Sequence, residues 1–249
     1  MKSLFALLAA CLLLTGCGRQ GAIYQTDPFA PPMASEFPSG DPEKAAESLQ
    51  KAAKALEELG VEGAAETGER LAEEVPAEDL AYFITSTSDA ALWLLSDLGY
   101  GEWAEDTWAW SPTSDQAYYL DFEVFNLDRM YTDTLAGIAA IVGDDAVFAD
   151  VTEDLSAVDY EADSGIQIVT FTCSGTPCRY EAEFMGDWLD PGFLTYMGRV
   201  LDRLDTDKQL YTCSDGGQGC ILLWRTPRWV EQLQKATGLQ LEPAAGYFR

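Results

Sequence analysis

Histidine is absent from the 249-residue chain and cations are scarce: 15 Lys and Arg stand against 42 Asp and Glu, a formal net charge of −27. Without imidazole there is no Ser-His-Asp or Cys-His nucleophile set, no His-Glu-x-x-His zinc site and no imidazole proton shuttle. The negative charge argues against a protein that tracks nucleic-acid phosphates, because a polyanion would be repelled. The apolar run at 4–14 (LFALLAACLLL) is too short to span a bilayer. What is present is globular in composition. The chain is 47% hydrophobic and 23% charged, enough apolar material for a real core.

Lys2 precedes the apolar run, and Leu14-Thr15-Gly16-Cys17 closes it. A short basic start, a secretory-length apolar stretch, a small pair and a cysteine in that order resemble the lipobox signal peptides of bacterial lipoproteins. The resemblance covers residues 1–17 and implies no fold or activity for the rest. It implies cleavage before Cys17, diacylation of its sulfur and acylation of the new amine. Several acyl chains on one residue hold a protein stably on a membrane, at about 0.8 kcal/mol per buried methylene. In that class an Asp after the cysteine favours inner-membrane retention, so Gly18 points to the outer membrane if the cell is Gram-negative. The competing reading is an ordinary secretory signal with a chance cysteine. Residues 1–16 are thus expected as signal peptide and 17–40 as lipidated cysteine plus tether. Pro28, Pro31, Pro32 and Pro38 make that tether semi-extended, with a reach of at most about 70 Å at ~3.1 Å per residue.

Beyond Cys11 and Cys17 four cysteines remain, an even number that in an exported chain fits two disulfides. Cys173–Cys178 and Cys213–Cys220 each bracket turn residues between strand-like segments, so the expected bridges close hairpins. A four-cysteine zinc ribbon is the rival reading, but the spacings are looser than the usual two-residue knuckle and export disfavours it.

Asp41-Pro42-Glu43 is a helix start, and Ala45, Leu49, Ala52, Ala53, Leu56 and Leu59 recur at helical spacing up to Gly60. Further helices fit 64–75, 78–84, 89–98 and 102–110, giving a helical region over 41–111. After Pro112 strands fit 117–125, 146–151 and 165–173 around a helix at 127–142. The order then recurs as a strand at 179–185, a helix at 191–204 and strands at 209–213 and 220–224, before a last helix at 227–237. Residues 112–249 are therefore expected as an α+β domain: one antiparallel-rich sheet built from two β-α-β-β units with helices on one face.

Between residues 78 and 190 there are 24 acidic residues and two basic ones, Arg129 and Arg179. Such a surface attracts a cationic partner and accelerates encounter. It equally serves solubility or a saline habitat. Asp159-x-Glu161-x-Asp163 resembles half a calcium loop, but Ser164 and Thr170 occupy the positions that need Gly and Glu. Ser48-x-x-Lys51 lacks the companion motifs of penicillin-interacting enzymes, and Gly216-Gly217-Gln218 is explained by a hairpin turn. The aromatic stretch is less easily set aside. Trp93, Tyr100, Trp103, Trp108 and Trp110 lie beside Glu102, Glu105, Asp106 and Asp115, the ingredients of a sugar cleft or a two-carboxylate glycosidase. Trp103, Trp108, Trp110, Glu102 and Asp106 form the candidate ligand surface. Helical spacing of Trp103 and Trp110 describes core packing as well.

The leading expectation is a lipid-anchored cell-envelope protein whose acidic domain binds another protein, a cationic one by charge, and catalyses nothing. No metal site, cofactor or nucleic-acid partner is expected. The alternative is an envelope glycosidase or saccharide-binding protein using 93–115. If the anchor reading holds, the native protein begins at an acylated Cys17 in mass spectrometry, and Cys17→Ser moves it from the membrane to the soluble fraction. An intact, unacylated chain starting at Met1 would remove the anchor.

Overall fold

The computed structural model describes residues 40–246 apart from 105, 108 and 125. The signal peptide, nearly all of the tether and Trp108 lie outside the described residues. Helix α1 (Pro42–Glu58) starts where expected: the Asp41 carboxylate accepts from the amides of Glu43 and Lys44 at 3.1 and 3.3 Å. Pro42 at the first turn sacrifices no helical hydrogen bond. Helices α2 (Ala64–Glu74) and α3 (Ala77–Phe83) are separated by Pro76, and Ser86 caps α4 (Thr87–Gly99) through the Asp89 amide. Arg70 of α2 is tied by an ion pair to Asp97 of α4.

The helix expected over 102–110 does not form. β1 (Glu102–Trp103) instead pairs antiparallel with β2 (Trp110–Ser111), setting Trp103 directly opposite Trp110. Gly101 explains the change. Its φ of +77° suits glycine, and a β-carbon there would lie 2.6 Å from the Trp110 indole. The indole N–H then donates to the Tyr100 carbonyl at 3.0 Å, which pins the hairpin to the end of α4.

The rest runs β3 (Tyr118–Asp121), α5 (Met130–Val142), β4 (Phe148–Asp159), β5 (Ser164–Cys173), β6 (Thr176–Glu183), α6 (Gly192–Leu201), β7 (Gln209–Ser214), β8 (Gly219–Arg225), α7 (Pro227–Thr237) and β9 (Glu242–Pro243). The fold is α+β. The expected single sheet, however, is divided into a four-stranded sheet of order β3-β8-β7-β9 and a three-stranded one of order β4-β5-β6. The order β-α-β-β does occur twice, but neither run keeps its first strand. β6 joins the β4–β5 hairpin, and β3 joins the β7–β8 hairpin. A two-residue turn at Ser174-Gly175 explains the first exchange, since closing so short a loop costs little entropy. The connections after β3 and β6 then bridge at Glu123 and Trp188, with the Val124 amide donating to the Asp187 carbonyl at 2.7 Å.

Helices do not lie on one face only. Tyr119, Tyr211, Ile221 and Leu223 of the four-stranded sheet pack with α1, α2, α4 and α7 in one core. Tyr118, Leu120, Leu222 and Trp224 of the same strands turn to a second core with α5, α6 and the inner side of the three-stranded sheet. Strand β8 is buried on both faces, which is why it reads CILLW rather than alternating. The region 41–111 is thus one covering layer of that sheet and shares its core.

The two expected hairpin disulfides are absent; all four cysteines are buried thiols. Parity accounts for one pair. Cys213 faces Ile221 and Ser214 faces Cys220, so Cys213 and Cys220 point to opposite sides of one sheet. Cys173 faces Thr176 and Cys178 faces Phe171, so these two share a side but stand diagonally. A diagonal pair is farther apart than the roughly 3.5–4.5 Å between β-carbons that a bridge needs. Alkylation of the denatured, unreduced protein followed by peptide mapping should find Cys213 and Cys220 unlinked to each other. A peptide carrying that bridge would contradict the strand register.

Candidate functional site

Strand β3 is an edge of the four-stranded sheet, with no further strand paired to it among the described residues. Against it lie the β1–β2 hairpin and the first turns of α5, and between them opens a cavity of about 60 Å³. Its walls are largely rings: Tyr100 from the end of α4, Trp103 and Trp110 from the hairpin, Tyr118 and Tyr119 from β3. The Trp110 and Tyr118 rings are 5.2 Å apart at 44°, and Tyr100 lies 5.9 Å from Tyr119. Asp121, Glu123 and Asp133 supply the carboxylates.

Strand register decides which polar groups meet there. β3 pairs with β8 so that Asp121 stands opposite Gly219, beside the β7–β8 turn. From that turn the Gln218 side-chain amide donates to Asp121 Oδ1 at 3.1 Å and to Glu123 Oε2 at 2.9 Å. One amide nitrogen therefore sits between two carboxylates. The Glu123 amide also donates to Asp121 Oδ1 at 3.0 Å. Nearby, the Tyr119 hydroxyl donates to Asp215 Oδ2 at 2.7 Å, while the amides of Gly217 and Gly219 donate to its Oδ1.

Burial pushes the Asp121 carboxyl up to about 6, against the pull of the Glu123 amide and the Gln218 side chain; Glu123 and Asp215 add repulsion. Burial likewise raises Asp133, opposed by Arg129, which pairs with it at 3.0 Å. The hydroxyls of Tyr118 and Tyr119 are pushed far up by desolvation and stay protonated. Among the described residues no ion pair reaches Asp121 or Glu123.

The candidate surface drawn from the sequence is only partly assembled. Trp103 and Trp110 do line the cavity, half-buried, but as a cross-strand pair rather than as neighbours on a helix. Glu102 and Asp106 are exposed and do not line it, and Trp108 lies outside the described residues. Trp93 packs on Phe83 in the helical layer at 5.1 Å. Tyr118, Tyr119, Asp121, Glu123 and Gln218 were missed. Gln218 is far from β3 in sequence, and only the β3–β8 pairing brings it in. Asp159-x-Glu161-x-Asp163 forms a hairpin turn in which Asp159 accepts from the amides of Glu161 and Ala162. No group of three or more His, Cys, Asp or Glu side chains is arranged to hold a metal among the described residues. Comparison with protein-family models, curated proteins and solved structures gives no match, so the site is read from its own geometry.

The raised Asp121 has a consequence for stability. The folded protein holds this proton more tightly than the unfolded chain, whose Asp titrates near 3.8. Stability therefore falls as pH rises from about 4 through about 6 and is level above that. A shift of about two units would be worth about 3 kcal/mol, reduced to about 1–2 kcal/mol because the group is partly solvated. Asp121→Asn should stabilise the protein at pH 7.5 by that amount and change little near pH 4, read by urea unfolding followed by tryptophan fluorescence. Equal destabilisation at both pH values would show that the lost hydrogen bonds outweigh the desolvation.

Proposed function

We propose that this chain is a lipid-anchored cell-envelope protein whose acidic domain binds a cationic protein partner without catalysis. The observation that carries the reading is the pair Asp121 and Glu123 beside an aromatic cavity, bridged by the Gln218 side-chain amide and, among the described residues, in no ion pair. A partly buried carboxylate such as Asp121 ordinarily meets an opposite charge or holds its proton more tightly. Here the chain supplies Gln218 instead, which leaves a negative potential at an accessible edge. With 24 acids and two bases between residues 78 and 190, the surrounding surface carries the same sign. Long-range attraction of a basic partner follows from that imbalance.

The glycosidase reading draws some support from Asp121, whose raised carboxyl resembles that of a general acid. Two features weigh against it. The Gln218 amide donates to both Asp121 and Glu123, so one neutral group ties together the two carboxyls that a glycosidase would assign to separate roles. The cavity is also small. At about 10–15 Å³ per water-sized site it takes on the order of four to six heavy atoms, about half of a whole hexose.

Affinity capture of the membrane-attached protein from its own envelope at low salt tests the binding reading. The expected result is one stoichiometric basic protein, released as ionic strength is raised from about 20 to 300 mM. Retention of no basic protein, or of one that salt does not release, would sink it.

A further inference from the structure

We infer that the cavity beside β3 receives the guanidinium group of an arginine side chain from the partner protein. This deepens the cationic-partner reading and rests on it. Three observations define the occupant. The first is the supply of hydrogens. The Trp110 indole N–H is committed to the Tyr100 carbonyl, and the Tyr119 hydroxyl to Asp215. With those two donors committed, the cavity presents aromatic π faces and the lone pairs of three carboxylates, a surface that attracts cations.

The second is charge. Of the three carboxylates at the cavity, Asp133 is already paired with Arg129. Asp121 and Glu123 share a neutral amide and form no ion pair among the described residues, so a cation that enters finds two negative groups. The third is size and wall chemistry. A guanidinium has about four heavy atoms, within the four to six that about 60 Å³ accepts. Its planar cation is more weakly hydrated than an ammonium, stacks on aromatic rings and donates in a fork to carboxylates. Rings from Tyr100, Trp103, Trp110 and Tyr118 surround that space, and a strongly hydrated lysine head would lose more water to enter it.

The cavity's own indoles provide the signal for a test. The full chain is titrated with N-acetylarginine methylamide while tryptophan fluorescence and isothermal heat are followed. The matched citrulline amide, which has nearly the same shape without the charge, is the comparison, and glucose is a third probe. The expected result is binding in the millimolar range for arginine and at least about tenfold weaker binding for citrulline. Glu123→Gln, at an exposed position and with its fold checked by a thermal melt, should weaken arginine about fivefold to tenfold. Asp121→Asn should do the same, with a thermal melt confirming that it is folded. Equal binding of arginine and citrulline, no effect of Glu123→Gln, or preferential binding of glucose would each overturn the assignment. Loss of arginine binding together with a persisting salt-sensitive basic partner would remove only the cavity assignment. Arginine binding without any basic partner would remove only the proposed function.

Discussion

The four-residue ladder between Tyr118–Asp121 and Gly219–Leu222 is the contact on which both cores and the cavity depend. It joins positions about a hundred residues apart, so it costs loop-closure entropy that local hairpins do not. Side-chain burial on both faces offsets that cost. Tyr118 and Leu120 fall on the α5–α6 side with Leu222 and Cys220, while Tyr119 falls with Ile221 on the helical-layer side. The same register places Asp121 at the end of the ladder, one residue from the turn that carries Gln218. A slip by one residue would invert every face and scatter the cavity.

Local signals in the sequence were informative where one residue has one physical meaning. Asp41-Pro42 starts a helix because a cap and a preset φ act together, and the last helix, Pro227–Thr237, occupies the range its proline start and Gly238 indicate. Strand existence was legible from apolar alternation, as in GIQIVTFTC. Strand partnership was not. Nothing in 117–125 says that it will pair with 219–222 rather than with 146–151. The cysteine pairs show the same limit: spacing across a turn suggested bridges, but only the register reveals that Cys213 and Cys220 diverge. For the site, the tryptophans were legible as a cluster. Their carboxylate partners were drawn from sequence neighbours, Glu102 and Asp106, when the groups brought to the cavity come from β3 and its continuation.

Scarcity of cations shapes the interior as much as the surface. Many carboxylates of this chain have amides and hydroxyls as partners. Glu153 accepts from the Tyr131 and Thr132 amides at the start of α5, from the Thr132 hydroxyl and from Gln167. Asp190 accepts from the Tyr180 hydroxyl and the Glu183 and Gly192 amides. Neutral donors satisfy the lone pairs and leave the charge in place. Burial then raises Asp97, Asp121, Asp133 and Glu153 alike, even where a base such as Arg70 or Arg129 is adjacent. All four push stability in one direction with pH, so the fold holds its acids at some expense near neutrality.

That expense has a bearing on binding. A carboxylate already met by a cation gains little from a second one, whereas a carboxylate met only by an amide gains the full difference between dipole and charge. The gain is largest where the group is partly desolvated and still reachable, because water screens an exposed acid and a fully buried one makes the cation give up its own hydration. Asp145 illustrates the satisfied case: Lys208 and the Trp224 indole both reach it at 2.7 Å, and they hold it below the usual carboxylate range. Asp121 is the opposite case, raised by burial and in no ion pair among the described residues. Two aspartates in one chain thus differ in what a cation could add, and the difference lies in which partners the strand register delivers.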